Sequence, residues 1–199
     1  ELEISYKAAW FMLHRVRKAM TDRNSKYLLA GVVELDDTYF GAPEKESKRG
    51  RGTSKVKVIV GLSINDKGHP RYLKMEVVND LKKQTISEFA HLNIESGSTI
   101  SSDAYRSYRN LQKEGYELVY KAFNPKEDPD HLKWLHSVVS NAKAFVAGTF
   151  HGLGDKHLQR YLDEFCYRFN RRFYGSELFN RVLFSCITSQ KIIYTELTS

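Results

Sequence analysis

Three β-rich runs follow one another between residues 32 and 78, with no helical pattern between them. A chain ordered this way starts its sheet with a meander of antiparallel strands. The first run, Val32–Tyr39, mixes β-branched residues with acids and stops at Gly41. The second, Lys55–Ile64, alternates at first and then turns continuously apolar, as a central strand does. Asn65-Asp-Lys-Gly-His-Pro is a strong turn signal, and Arg71–Val78 is the third run. Beyond it the pattern changes. Lys82–Leu92 reads as a helix, Ser98–Asp103 as a short strand, Tyr105–Lys113 as a helix and Glu117–Ala122 as a strand. From Asp130 onward the periodicity is helical, with Leu158, Tyr161, Leu162, Phe165 and Phe169 in one apolar stripe.

Three antiparallel strands feeding a βαβ-type half predict an α/β fold of ribonuclease-H-like layout, a mixed sheet flanked by helices. Ahead of the sheet, residues 5–21 read as an amphipathic helix, with Ala9, Phe11, Met12, Val16 and Met20 near helical spacing and Ser5 as N-cap. Two readings of this helix stand: a surface helix packed on the body, or the last helix of a truncated helix-turn-helix. The expected division is 1–27 as an N-terminal helical remnant of a DNA-binding region and 28–199 as one catalytic domain. The chain starts without an initiator Met, which suggests missing upstream residues. There is no signal peptide and no run of eighteen apolar residues, so no membrane partner is expected. Cys166 and Cys186 read as free thiols of a reducing compartment. The 31 Lys and Arg outnumber the 24 Asp and Glu, giving +7, which points weakly to a polyanion.

The acids carry more information than the net charge. Asp36 sits in the middle of an apolar strand, on one face with Glu34 and Thr38, while Asp37 points the other way. A carboxylate there is costly to desolvate unless it is paired or binds a metal. Asp103 ends a strand that enters a helix, a favoured ligand position in open α/β sheets, although an N-cap role fits it equally. Adjacent central strands bring two such carboxylates together, and the like charges then call for a cation. Oxygen donors without a Cys/His cluster favour Mg²⁺ or Mn²⁺ over zinc. Two such ions suit phosphoryl transfer at a phosphodiester.

Val33-Glu-Leu-Asp36-Asp-Thr-Tyr-Phe-Gly41 resembles the first catalytic block of bacterial insertion-sequence transposases of the DDE class. The ISXO2-like family is the nearest resemblance, in its Asn-containing branch. Ser101-Ser-Asp103-Ala-Tyr-Arg-Ser-Tyr resembles the second block, and His136-Ser-Val-Val-Ser-Asn141-Ala-Lys143-Ala-Phe with Gly148-Thr-Phe-His-Gly152 the third. Lys156–Arg172 resembles the C-terminal signature, so four ordered blocks span residues 33–172. The resemblance implies a metal-dependent catalytic domain that cuts the ends of a mobile element and joins the 3′-ends to target DNA. It implies Asp36, Asp103 and Asn141 as metal ligands, with Mg²⁺ or Mn²⁺ as cofactor in two sites, and Lys143 as a phosphate contact. Asn141 stands where many relatives have Glu, and His136 is a rival third ligand if the alignment slips. Glu164 reads as a salt-bridge residue of the signature helix, and His151 and His157 as structural or DNA-facing. DNA contacts are expected from Lys45, Lys48, Arg49, Arg51, Lys55 and Lys57 after the first strand, and from Arg168, Arg171 and Arg172. A homodimer or higher assembly on DNA is implied by the need to hold two ends, and a cytoplasmic, nucleoid-associated location by the bacterial resemblance. The competing reading, prompted by Asn141, is an inactive or repurposed transposase that only binds DNA. A nuclease of the same fold acting on RNA–DNA hybrids rests on fold analogy alone.

Overall fold

The computed structural model describes residues 3–41, 55–103, 105–121, 130–150 and 155–198. Ser5 caps the first helix, α1 (Tyr6–Asn24), its hydroxyl accepting the Ala8 N–H. The three β-rich runs form β1 (Val32–Phe40), β2 (Val56–Ile64) and β3 (Pro70–Val78). They pair as the antiparallel meander the sequence predicts. The Asn65 side chain closes the β2–β3 turn by accepting the Lys67 and His69 N–H groups, an Asx-turn. After α2 (Lys83–Asn93), the chain returns to the other edge of β1 as β4 (Thr99–Ser102), now parallel. β5 (Glu117–Tyr120) adds in parallel to β4, giving the order β3-β2-β1-β4-β5. This is the ribonuclease-H-like mixed sheet, flanked by helices. One element differs from expectation: Arg106–Glu114 is a 3-10 helix rather than an α-helix, ended by Gly115 at φ 92°.

Each face of the sheet has its own core. Val33, Leu35, Ile59 and Ile100 pack under α2 and the 3-10 helix with Phe89, Tyr108 and Leu111. On the other face Phe40, Val58, Val60, Leu62, Leu73 and Met75 meet α3 (Lys133–Thr149) and α4 (Asp155–Asn170). Gly61 interrupts the apolar run of β2 because a Cβ there would lie 2.8 Å from Leu29 Cδ1 and 3.4 Å from Phe89. Beyond α4, α5 (Leu178–Thr188) lies along α1, and the short α6 (Tyr194–Thr198) follows.

β3 is an edge strand, and α4 covers its free hydrogen-bonding groups with side-chain amides. Gln159 accepts the Val77 N–H at 2.6 Å and donates to the Met75 carbonyl at 3.0 Å. Asn170 does the same for Leu73, accepting its N–H at 2.7 Å and donating to its carbonyl at 3.0 Å. The two amides are eleven residues apart, about three helical turns, so they share one face. An exposed edge invites pairing with another chain, and these amides close it.

α1 is packed on the body. Arg17 is buried, with its Nε 2.8 Å from Glu164 and its guanidinium over the Tyr161 ring at 4.1 Å. His14 is fully buried among Trp10, His157 and Tyr161, and neither ring nitrogen has a hydrogen-bond partner among the described residues. Burial, with Arg17 nearby, pulls its pKa down to about 4 from 6.5. In the other direction, burial raises Asp163 to about 6 despite hydrogen bonds from Thr21 and Gln159.

Two outcomes follow. Asn170→Leu leaves two backbone groups of Leu73 unpartnered and is expected to cost about 1–3 kcal/mol in urea unfolding. Hydrogen exchange of the Leu73 amide accelerates more than that of Val77. For His14 the unfolded chain takes up the proton first as pH falls, so this residue withdraws stability from about pH 6.5 down to 4. Asp163, with its raised pKa, acts oppositely in the same window. The test is therefore the difference between the parent and His14→Phe. The variant gains on the parent as pH falls, by about 2 kcal/mol at pH 5 relative to pH 7.5.

Candidate active site

β1 runs through the middle of the sheet, and the alternation of its side chains sorts its acids. Val33 and Leu35 face the α2 side, so Glu34, Asp36 and Thr38 face α3. Asp37 falls on the α2 side, where the buried Tyr108 hydroxyl donates to it at 3.3 Å. The parallel register pairs Leu35 with Ser102. Continued one step past the end of β4, that register sets Asp103 beside Asp36 of mid-β1, on the same face. Adjacent strands are about 4.8 Å apart. Each carboxylate is oriented by the chain that follows it. Asp36 Oδ1 accepts the Asp37 N–H at 2.8 Å, and Asp103 Oδ1 accepts the Tyr105 N–H at 3.0 Å.

Glu34 sets where α3 sits. The N-terminus of α3 has no side-chain cap of its own. The Glu34 carboxylate accepts the Leu135 N–H at 2.8 Å, supplying negative charge to the exposed N–H groups of the first turn. Burial raises the pKa of Glu34 against that hydrogen bond and the nearby His136. The docked helix then presents His136 to Asp36, with Nε2 3.7 Å from Oδ2. Hydrogen bonding to Asp36 raises the His136 pKa, opposed by burial.

The remaining α3 residues distribute by helical geometry. Leu135, Val138, Val139 and Ala142 face the core. Lys143 is two turns from His136 on the same flank and lies over the Phe40 ring at 5.9 Å. Its ammonium pKa is lowered by burial and by Lys55. Asn141 is exposed, about 140° around the helix from His136. The structure therefore sets His136 against Asp36 and Lys55 near Lys143, puts Asp103 beside Asp36 by strand register alone, and leaves Asn141 on the opposite flank of α3.

The sequence profile of the ISXO2-like transposase domain matches residues 28–170. The chain belongs to that family. No curated protein matches the transposase domain in sequence. Among solved structures, the catalytic core domain of BIV integrase is similar to it at TM-score 0.48 and 12% identity, covering 80% of this chain and 97% of that one. A simian T-cell lymphotropic virus intasome, in complex with PP2A regulatory subunit B56 gamma, is similar at TM-score 0.41 and 12% identity, with 68% and 48% covered.

The other expected contacts of the transposase domain divide three ways. Lys45, Lys48, Arg49, Arg51 and His151 lie outside the described residues. Lys57 pairs with Tyr39 on the sheet face away from Asp36. The arginines of α4 are engaged in the fold. Arg168 bonds Glu164 at 3.2 Å while keeping an exposed side chain, and Arg171 is buried, donating to Asn24. Arg172 donates to the carbonyls of Pro70, Arg71 and Phe169, extending the cover of β3. Glu164 holds both Arg17 and Arg168, as a salt-bridge residue. His157 packs against Trp10 and His14.

Glu34 and Tyr108 are the residues sequence reasoning left without a role. The face shared by Glu34 and Asp36 was the available signal for the first, and nothing local marks the second. Among the described residues no group of three or more His, Cys, Asp and Glu is arranged to hold a metal ion. The donor set is a pair of carboxylates, which fits Mg²⁺, an ion commonly held by one or two carboxylates plus substrate phosphates.

The Asp36–His136 pair gives a direct test. Asp36→Asn is expected to lower the His136 pKa, read by NMR of its ring resonances. Because the folded pKa is raised, the pair stabilises below the ordinary histidine value and that contribution is lost as pH rises through the folded one. Asp103→Asn moves it less, because Asp36 and Glu34 are the carboxylates that raise the His136 pKa.

Proposed function

We propose that this domain cuts and joins DNA strands by metal-dependent phosphoryl transfer, as a transposase. The observation that carries this reading is the shared face of Asp36 and Asp103, with His136 docked against Asp36 and Lys143 on the same flank of α3. Family membership supports the reaction class. Asp36 and Asp103 would hold Mg²⁺ or Mn²⁺, in one or two sites. A divalent ion bound there supplies Lewis-acid charge to the scissile phosphodiester.

The protein's own groups do the rest. Asp36, in the middle of β1, and Asp103, just past the end of β4, stand on strands that cannot shift without breaking the sheet, and through the ion they would hold they would fix where the phosphate sits. Hydrolysis breaks one P–O bond and makes another to a water oxygen; in joining, the new bond is to a 3′-hydroxyl. In both, the attacking oxygen loses a proton and the leaving oxygen takes one up, and neutral His136, beside Asp36, would accept the first. Lys143 and Lys55 put two positive charges near the end of β1, where a phosphate backbone would run. The basic residues Lys45, Lys48, Arg49 and Arg51, between β1 and β2 in sequence, would add further phosphate contacts. Arg168, exposed at the end of α4, is the signature arginine best placed for DNA. Arg171 and Arg172 serve packing first. The geometry favours His136 over Asn141 as third member of the site. The assembly on DNA would be a homodimer or larger, one active site to each element end.

The test uses a duplex bearing element ends with Mg²⁺ or Mn²⁺. Asp36→Ala and Asp103→Ala each lower cleavage by about 10³-fold or more while leaving salt-sensitive DNA binding intact. His136→Ala lowers it by about 10²-fold and Asn141→Ala by less than about threefold. If Asn141→Ala is the damaging variant and His136→Ala is silent, the assignment of the third member reverses. Binding with no metal-dependent product from the parent chain would support the DNA-binding reading instead.

A further inference from the structure

A cavity of about 880 Å³ lies between the end of α1, β3, the end of α4 and α5, and includes neither Asp36 nor Asp103. Leu29 lines it, seven residues before Asp36 and outside β1. Arg23, Lys26, Lys74, Arg171 and Arg181 face only two carboxylates there, Glu95 and Glu177. Tyr27, Tyr72, Tyr174 and Phe184 bring ring faces to the same wall, each 41–54% exposed.

The cations and rings are interleaved. Arg23 lies over Tyr27 at 5.2 Å and Phe184 at 5.8 Å, and Arg181 over Tyr174 at 3.6 Å. The buried Nε of Arg181 has no hydrogen-bond partner among the described residues, although its terminal nitrogen reaches Glu177 at 3.2 Å. Burial also lowers the pKa of Lys74. An apolar ligand would bury these cations, which outnumber the carboxylates, at a desolvation cost. A simple anion would leave the rings unused. A nucleoside phosphate uses both, its phosphate against the cations and its base on a ring or guanidinium face.

We infer that this cavity is a nucleotide-binding subsite separate from the carboxylate pair, taking one base-and-phosphate unit. The inference does not depend on strand cleavage at Asp36. The unit comes either as a free nucleotide or as an unpaired nucleotide of a DNA strand, and the chemistry of recognition is shared.

The experiment titrates the ¹⁵N-labelled chain with thymidine 5′-monophosphate, with a short oligothymidylate and with inorganic phosphate, following the arginine Nε–H resonances. Saturable shifts at Arg23 and Arg181 with either thymidine ligand support the subsite. Shifts with the mononucleotide assign a free nucleotide, and shifts with the oligonucleotide alone assign a strand. Tyr27→Ala weakens binding by roughly tenfold and Tyr27→Trp retains it, the size expected for one stacked base. Asp36→Asn leaves the titration unchanged, which separates this site from the catalytic proposal. Three outcomes overturn the inference: no shift with either thymidine ligand, shifts confined to residues around Asp36 and Asp103, or equal affinity for phosphate and the mononucleotide.

Discussion

The double pairing of β1 governs the rest of the structure. One edge is bonded antiparallel to β2 over the whole strand, and the other is bonded parallel to β4. A strand held on both edges cannot slip by one residue without moving all its side chains to the wrong face. The apolar residues Val33 and Leu35, fully buried on the α2 side, fix that parity. Glu34 and Asp36 are thereby committed to the α3 side, although neither is itself at home in a core. The parallel register to β4 then carries Asp103 to the same place. Two like charges are brought together by the hydrophobic pattern of their neighbours, against their own electrostatic preference.

The same strand positions the helix that completes the site. Glu34 is partly buried and would be a poor choice on packing grounds alone. Its hydrogen bond to the Leu135 N–H makes it the cap that α3 lacks. An acid two residues before Asp36 therefore determines which residue of α3 meets Asp36. α4 plays the corresponding part on the far side. Gln159, Asn170 and Arg172 substitute for a missing sixth strand along β3. The signature segment is thus as much a device for closing a sheet edge as a source of positive charge.

The strands and their acids were legible because both depend on period-two alternation over a few residues. The Ser5 cap and the β2–β3 turn were legible for the same reason: the interactions close within four residues. The amide cover of β3 was not legible, since Asn170 meets Leu73 across 97 residues. Nor was the 3-10 character of Arg106–Glu114, whose buried Tyr108 and Leu111 are three residues apart, a spacing that an α-helix also places on one face. The third member of the site shows the limit most plainly. Resemblance of the third block pointed to Asn141, and the residue that the structure sets against Asp36 is His136, five residues away. On a helix that difference is a change of face, and only the docking of α3 by Glu34 chooses between them.

An imidazole at that position also changes the electrostatics of the resting site. Glu34 and Asp36 already put two carboxylates on the α3 side of β1, with Asp103 on the neighbouring strand's continuation. A further acid on α3 would add repulsion that a cation must offset before the helix could settle. His136 instead brings a proton donor whose charged form is favoured by Asp36, as its raised pKa records. Protonated, it offsets part of the negative charge and ties α3 to β1 without any ion. Lys143, two turns along α3, has its charge disfavoured by burial and by Lys55, and gains from an incoming anion. The resting site is therefore balanced on one side and left electrostatically unsatisfied on the other. A phosphodiester approaching from the lysine side relieves the second condition while entering beside the first.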